Sequence, residues 1–596
     1  MNTTMLINAP YERLWIGLIL AIFVFLALGF SLGALFEGPD EAAHYNFVRY
    51  VQANRNLPPA DGDPYGQFHQ APLYYLLMQP LAILFPDPNF DRAELRENPN
   101  HAYDITRFGN DNKNLYLHTR DEAFPYRTAT ARAVHVMRLA SVLMGAITVW
   151  LAYRVTCFVW SEHPYRRILT VAIVAFWPQF IYLSSLINND NLMFLMGTAS
   201  LLLMLQQQAN PTWKRAAILG LVLGAALLTK ASMGLLAIPI GIATIIDKRL
   251  WKYAILTALL TIAIGGWWYV RNYVTYGDWF GFNAMFIAWS NQAINPDGSP
   301  DFAIGLSRSV YAYSSVWARF GQGAIAMPLW IYRVFDYLLI IAGIGLIGRF
   351  IRGWKNRQTI RVNVRQSVFI AAFALVWIGS IISAASVATA GNQGRYLFPG
   401  IVAWGMILAL GIDTWFIRIP RAIATAIVCS LLIITSLTAL FVGFYPSYRA
   451  LPVPDEIARP LGIRYEDTAE LLGISPLDLQ GYPGETITVE LYWRALESAA
   501  PTLQMYLHAI NGEDVLWRDS IPGNGNRPAD DWQPDETWSE RYVVTLPVTL
   551  EPDTNYILVA GLFDPTTGTA LEAFDGAGNS LSNTPFIANL TIIAKP

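Results

Sequence analysis

The sequence predicts a polytopic α-helical membrane protein that carries an all-β domain at its C-terminal end. Three observations point there. Of 596 residues, 54% are hydrophobic and only 14% are charged, against about 25% charged in an average soluble domain. The apolar residues gather into runs of membrane-spanning length, and after about residue 445 that pattern gives way to short alternating runs between turn residues. Net charge is −3, from 41 Lys and Arg against 44 Asp and Glu, which gives no footing for nucleic-acid binding. Cys157 and Cys429 both lie in apolar runs and make neither a disulfide framework nor a cysteine metal site.

The first run, 15–36, is long enough to cross a hydrocarbon core of about 30 Å at about 1.5 Å per residue. It exceeds a signal-peptide core, and no small-residue cleavage site precedes Glu37, so it reads as a retained anchor. Further runs at about 137–159, 168–186, 191–207, 216–229, 231–246, 253–273, 331–350, 366–389, 397–417 and 422–444 bring the total to about eleven spans. The stretch 216–246 is too long for one ordinary span and divides at Thr229 and Lys230.

Loop charge gives sidedness. With the N-terminus inside, the inner loops hold Arg166 and Arg167; Lys214 and Arg215; Lys248, Arg249 and Lys252; Arg352, Lys355, Arg357, Arg361 and Arg365; and Arg418 with Arg421. Each is basic, as the positive-inside bias requires, and the parity places the C-terminal domain outside a plasma membrane. Two outer loops, 37–133 and 272–329, are too long to be simple connections; the second is rich in aromatic residues suited to the interface.

The membrane domain thus covers 1–445, a linker 446–465, and the outer domain 466–596. In that last part, turn signals such as Pro483-Gly484, Asn511-Gly512 and Asp575-Gly576 separate alternating runs; Ile487, Val489, Leu491 and Trp493 share one strand face. Six or more such runs predict a β-sandwich or jelly roll. Trp493, Tyr506, Trp517 and Trp532 could stack on sugars, although core packing is the simpler role.

Chemistry concentrates on the outer side. Directly after the first span comes Glu37-Gly38-Pro39-Asp40-Glu41-Ala42-Ala43-His44-Tyr45. Pro followed by two acids resembles a helix start, where negative charge suits the dipole, so Asp40 and Glu41 have a capping role open to them. The chemical alternative is a carboxylate held just outside the bilayer that takes a proton from an acceptor hydroxyl, with His44 one turn away. Asn188-Asn189-Asp190-Asn191 fills a very short outer connection, where Asp190 either caps the next helix or shares a cavity with Asp40 to bind a cation or a sugar.

Lys230, Arg271 and Arg395, the last in Gln393-Gly394-Arg395-Tyr396, run against the positive-inside bias. Singly each suits snorkelling; together they offer what a phosphate at the membrane surface needs. Asp61-Gly62-Asp63 reads as a turn, and His69, ahead of an amphipathic stretch, as interface packing or cavity lining. His101, His118 and His135 lack metal-ligand spacing. The sequence has no phosphate-binding G-x-x-x-x-G-K-[ST] loop, no G-x-S-x-G elbow and no H-E-x-x-H pair.

The ordered set of Asp40-Glu41, His69-Gln70-Ala71-Pro72-Leu73-Tyr74-Tyr75, Arg138-Leu139-Ala140-Ser141, Asn188-Asn189-Asp190, Leu228-Thr229-Lys230, Trp267-Trp268-Tyr269-Val270-Arg271 and Gln393-Gly394-Arg395-Tyr396 resembles the GT-C superfamily of membrane glycosyltransferases. Within it, bacterial relatives of the protein O-mannosyltransferase and aminoarabinose transferase families are the nearest in pattern, over residues 1 to about 445. The resemblance implies inverting transfer of a sugar from a polyprenyl-phosphate carrier to a protein, lipid or glycan acceptor at the outer face of the bilayer. Asp40 matches the family's base or acceptor-orienting acid, with Glu41 its neighbour; His44, His69, Asn189 and Asp190 are expected at the substrate, and Lys230, Arg271, Arg395 and Tyr396 at the donor phosphate. Some relatives need a divalent cation such as Mg or Mn, for which Asp40 and Asp190 are the candidate ligands. Two other readings stay open on the residues alone, a lipid-linked sugar transporter or flippase and a membrane-anchored carbohydrate-binding protein; the absence of a midplane acid pair and of an inverted repeat argues against the first.

Overall fold

The computed structural model describes residues 10–59, 66–103, 105–282, 285, 293–356, 364–416, 419–512 and 514–595. The Asp61-Gly62-Asp63 turn and the inner-loop cations Arg357, Arg361 and Arg418 lie outside them. The chain divides into two compact units, one of residues 1–92, 129–323 and 327–442, the other of 93–128, 324–326 and 443–596.

The first unit is helical. Its elements are α1 (Pro10–Ser31), α2 (Glu41–Asn54), α3 (Leu73–Leu84), α4 (Ala129–Val159), α5 (Pro164–Ala175), α6 (Pro178–Leu183), α7 (Asp190–Ala209), α8 (Trp213–Leu227), α9 (Ala237–Ile246), α10 (Trp251–Tyr276), α11 (Phe302–Ser309), α12 (Ala312–Trp317), α13 (Leu329–Asn356), α14 (Val364–Val387), α15 (Ile401–Asp413) and α16 (Arg421–Thr438). Eight helical runs among the described residues are long and apolar enough to cross a membrane.

All eleven apolar runs of the sequence fall on helices, and the three outside the eight have physical reasons to be short or broken. The run expected at 168–186 splits into α5 and α6 because Pro178 lacks the N–H that would continue the ladder. The stretch 216–246 breaks where expected: α8 stops at Leu227, Lys230 is extended, and a tight turn over Ala231–Leu236 leads into α9. In α1, Phe23, Leu26, Ala27 and Phe30 are buried while Leu14, Leu18 and Phe25 stay exposed, a packed face and a face left for lipid.

The second unit is a β-sandwich. One sheet runs Leu479–Gly481, Phe586–Ile592, Thr554–Asp564, Gln504–Asn511, Asp514–Ser520, with Thr569–Ala570 beside Thr554–Asp564. The other runs Ser580–Ser582, Ala573–Phe574, Arg459–Tyr465, Ala469–Ser475, Thr486–Ala495, Thr537–Thr545. The predicted alternation holds along Thr486–Ala495: Val489, Leu491, Trp493 and Ala495 enter the core, and Trp493 pairs with the buried Trp538 across the strands. Trp493 and Trp532 belong to that core and Tyr506 is buried beside it, so these three take the packing role over sugar stacking; the Trp517 side chain is outside those described.

Two expected boundaries move. The first strand starts at Arg459, inside the expected linker. The expected single outer loop 37–133 divides, because 93–128 packs into the sandwich unit. Its Asn98, Asn112 and Asn114 are buried around the turn at Gly525: Asn112 N–H donates to the Asn524 carbonyl (2.8 Å) and Asn114 Nδ2 to that of Gly525 (2.8 Å). Arg96 pairs with Asp530 at 2.8 Å, and Arg120 with Asp531 and Glu536. Gly525 has φ +95, and a Cβ there would meet the Asn98, Asn112 and Asn114 side chains. Gly525→Ala therefore costs about 1–3 kcal/mol, expected as lost hydrogen-exchange protection in 97–117 together with 521–526.

Candidate active site

The site is built at one end of the helical unit by five segments that the sequence separates widely. Asp40 opens α2 with φ 61, a left-handed conformation costly for a residue other than glycine. The turn is pinned from outside. Asn188 Nδ2 donates to the Pro39 carbonyl (2.9 Å), Gln322 Nε2 donates to that of Gly38 (2.8 Å), and a Cβ on Gly38 would lie 2.5 Å from Leu186. Asp40 occupies the cap position but makes no side-chain capping bond.

Its carboxylate instead accepts from Arg395 Nη2 at 2.6 Å. Arg395 Nη1 stands 3.5 Å from Asp190 Oδ2, and Lys230 Nζ lies 2.6 Å from Asp190 Oδ1. Asp40, Arg395, Asp190 and Lys230 thus form one chain of alternating charge. Both cations also sit over the Tyr396 ring, 5.5 Å from its centre. Asp190 is fully buried, whereas Asp40 keeps 23% and Lys230 14% of the side chain exposed. The chain is therefore reached from its two ends. Burial pushes the Asp40 carboxyl up, but the Arg395 and Lys230 cations outweigh it and hold the group below the usual carboxylate range.

Beside the charges stands a neutral polar wall. Asn189 Nδ2 faces Gln70 Oε1 (3.3 Å) and the Thr229 carbonyl (3.4 Å), Gln70 Nε2 lies 3.0 Å from His69 Nε2, and His44 Nδ1 shares a 2.8 Å hydrogen bond with the Tyr75 hydroxyl. Burial lowers His44 to about 3 and His69 to about 4, so both imidazoles are neutral at physiological pH. The structure brings together Asp40, His44, His69, Asn189, Asp190, Lys230, Arg395 and Tyr396 from the expected set.

Two expected members stand elsewhere. Glu41, expected as a second acid beside Asp40, is turned toward α4, one residue on and about 100° round the helix. There Arg138 grips it with two bonds, Nε to Oε1 (2.8 Å) and Nη2 to Oε2 (2.7 Å), and the Ile187 N–H adds a third at 3.0 Å. Arg138 also donates to the carbonyls of Ser31, Gly33 and Ala34, so this fully buried pair ties the end of α1 to α2 and α4 and has no room for substrate. Arg271 reaches none of the four charged residues; it lies over Trp268 and Tyr276 and near Asn272 Oδ1 (3.3 Å).

Arg138, Tyr75, Gln70 and Gln322 were missed as functional or positioning residues. The first three lie in segments that carried the sequence resemblance; Gln322, in a loop nearly three hundred residues from Gly38, gives no sequence signal.

The acids do not fit a divalent cation as they stand. No group of three His, Cys, Asp or Glu side chains converges among the described residues, and Arg395 and Lys230 already face the carboxylates of Asp40 and Asp190. His118 is paired with Glu122 and His135 with the Ser31 carbonyl.

A family model for dolichyl-phosphate-mannose-protein mannosyltransferases matches residues 131–268, a segment that contains Asn189, Asp190 and Lys230. Comparison with curated protein sequences gives no match. Among solved structures, ArnT from Cupriavidus metallidurans bound to undecaprenyl phosphate is 13% identical, with 74% of each chain covered and a TM-score of 0.43. Its apo state is 13% identical over 73% of this chain and 76% of that one, at 0.43. The Archaeoglobus fulgidus oligosaccharyltransferase in complex with Zn and sulfate is 14% identical over 72% of this chain and 53% of that one, at 0.42.

Proposed function

We propose that the protein is an inverting glycosyltransferase that moves a sugar from a polyprenyl-phosphate carrier to an acceptor hydroxyl at the outer face of the plasma membrane. The observation that carries this reading is the alternating chain Asp40–Arg395–Asp190–Lys230, open at both ends, which sets a carboxylate next to two cations suited to a phosphate. An acceptor O–H gives its proton to Asp40 as the oxygen bonds to the anomeric carbon. The bond from that carbon to the phosphate oxygen breaks, and the electron pair leaves on the phosphate, whose charge Arg395 and Lys230 hold. Donor phosphate competes with Asp40 for Arg395; as the guanidinium turns to the phosphate, the force that depresses Asp40 weakens and the carboxylate becomes a better base.

An apolar cavity of about 420 Å³ supports a lipid donor. It lies among α8, α9 and α10, lined by Leu227, Met233, Gly234, Ile240, Ala258 and Ile262, and its nearest lining residues follow Lys230 by three and four positions. A phosphate on Lys230 would bring the isoprenoid chain toward the Met233 and Gly234 side of this cavity. The test is transfer by purified protein of a radiolabelled sugar from its polyprenyl phosphate, read as a new glycosidic bond; head-group translocation without a new bond would favour a transporter.

Two conditions sharpen the reading. EDTA is expected to leave the transfer rate unchanged; a rate abolished by EDTA and restored by Mg or Mn would contradict the charge arrangement proposed here. For pH, Asp40 sits below the usual carboxylate range and is ionised at physiological pH, while His44 and His69, lowered to about 3 and about 4, are neutral there. The acid limb of kcat/KM, which reports the free enzyme, therefore lies below pH 5 and the profile is flat up to pH 8. A limb near 6.5 would assign proton transfer to a histidine instead.

A further inference from the structure

The end of the helical unit opposite Asp40 carries a second charged cluster that the proposed transfer does not use. The run Gly394–Asp413 has 20 residues, so at about 1.5 Å per residue Asp413 lies about 30 Å from the Arg395 end. Around Asp413 converge the ends of four helices. Arg166, from the first turn of α5, donates to Asp413 Oδ2 through Nη2 (2.5 Å) and Nε (3.1 Å), and Arg421, opening α16, stands 3.8 Å from Oδ1. Arg349 and Arg352 come from the end of α13. Arg349 lies close enough to Arg166 and Arg352 to be repelled by both and attracted by Asp413.

Close helix packing enforces this crowding. A Cβ on Gly345 would meet the Gly411 carbonyl, and one on Gly411 the Ala342 carbonyl, so α13 and α15 touch backbone to backbone one turn before Arg349 and half a turn before Asp413. Arg166, Arg421 and Arg349 thus share one buried acid, with Arg352 beside Arg349; Glu162 stands exposed at the rim. Arg349 is half-buried and has no hydrogen bond or ion pair to any described residue, and the Arg421 side chain is 62% exposed. The surplus positive charge therefore opens outward. It borders apolar surface: Ile347, Phe350, Ile419 and Ile423 are exposed, as is Trp415, whose indole N–H donates to the Ile341 carbonyl (3.0 Å).

We infer that Arg349, Arg352 and Arg421, set around the Arg166–Asp413 pair, form a binding site for the phosphate of an anionic phospholipid in the leaflet opposite the Asp40 site. Guanidinium groups match phosphate oxygens in pairs, exposed isoleucine and phenylalanine side chains flank the acyl chains, and Trp415 sits where headgroup meets hydrocarbon. A basic pocket between helix ends on the side that the loop charges assign to the cytoplasm is where such headgroups are held.

The test uses the full-length protein in detergent, exchanged against mixed micelles of equal phosphatidylglycerol and phosphatidylcholine, with retained lipid measured by native mass spectrometry. Wild type is expected to enrich phosphatidylglycerol, and Arg349→Gln and Arg421→Gln each to reduce the enrichment about fivefold. Melting temperatures in phosphatidylcholine alone are expected to match wild type, which separates lost binding from lost fold. Inorganic phosphate at millimolar concentration is expected not to displace the lipid, because it lacks the flanking chains. Equal retention of both lipids, or enrichment undiminished in Arg349→Gln and Arg421→Gln, overturns the proposal. Binding of inorganic phosphate without any preference for phosphatidylglycerol overturns it too, in favour of a soluble anion.

Discussion

Asp40→Asn is expected to lower sugar transfer by about 10²–10⁴-fold, the usual contribution of a general base, and to leave the protein folded. The substitution keeps shape and removes only the charge and the capacity to take a proton. Arg395 loses one partner but keeps Asp190 at 3.5 Å, and the Asp40 turn is held by Asn188 and Gln322 through backbone carbonyls that the change does not touch. The measurement is initial rate with a polyprenyl-phosphate sugar in membranes, normalised to folded protein. Transfer at the wild-type rate would remove Asp40 from the reaction.

The second large effect falls on stability. Glu41→Gln is expected to destabilise the helical unit by about 3–5 kcal/mol, because it leaves the Arg138 guanidinium buried without its counter-charge. The readout is melting temperature and yield after detergent extraction. The double change Glu41→Gln with Arg138→Met is expected to recover part of the loss, since it removes the stranded charge. Rate separates this role from a catalytic one: the folded fraction of Glu41→Gln should transfer sugar within a few-fold of wild type. A 100-fold loss per folded molecule would return Glu41 to the chemistry.

The contrast between these neighbours marks how far the sequence could be read. Asp40 and Glu41 are indistinguishable as a motif, two acids after a proline. What separates them is helix rotation: Asp40 stays in the left-handed turn facing Arg395, while Glu41 swings to Arg138, a residue 97 positions away. Lys230 and Arg395 were legible for a different reason, since a cation on the side where cations are scarce needs a partner, and Asp190 supplies it for both. Arg271 met the same criterion and found aromatic rings instead. The spans were legible because apolar runs of that length have few alternatives. The assignment of 93–128 to the sandwich was not, because the Asn98, Asn112 and Asn114 contacts join a polar loop to a turn more than 400 residues later and follow no period.

A structure of the protein with a polyprenyl-phosphate sugar bound, by cryo-electron microscopy in a lipid nanodisc, tests the central claim most directly. Donor phosphate is expected within hydrogen-bonding distance of Arg395 and Lys230, with Arg395 turned away from Asp40, the anomeric carbon facing the freed Asp40 carboxylate, and the isoprenoid chain in the cavity beside Met233 and Ile262. A head group bound elsewhere, with Arg395 still on Asp40, would contradict it.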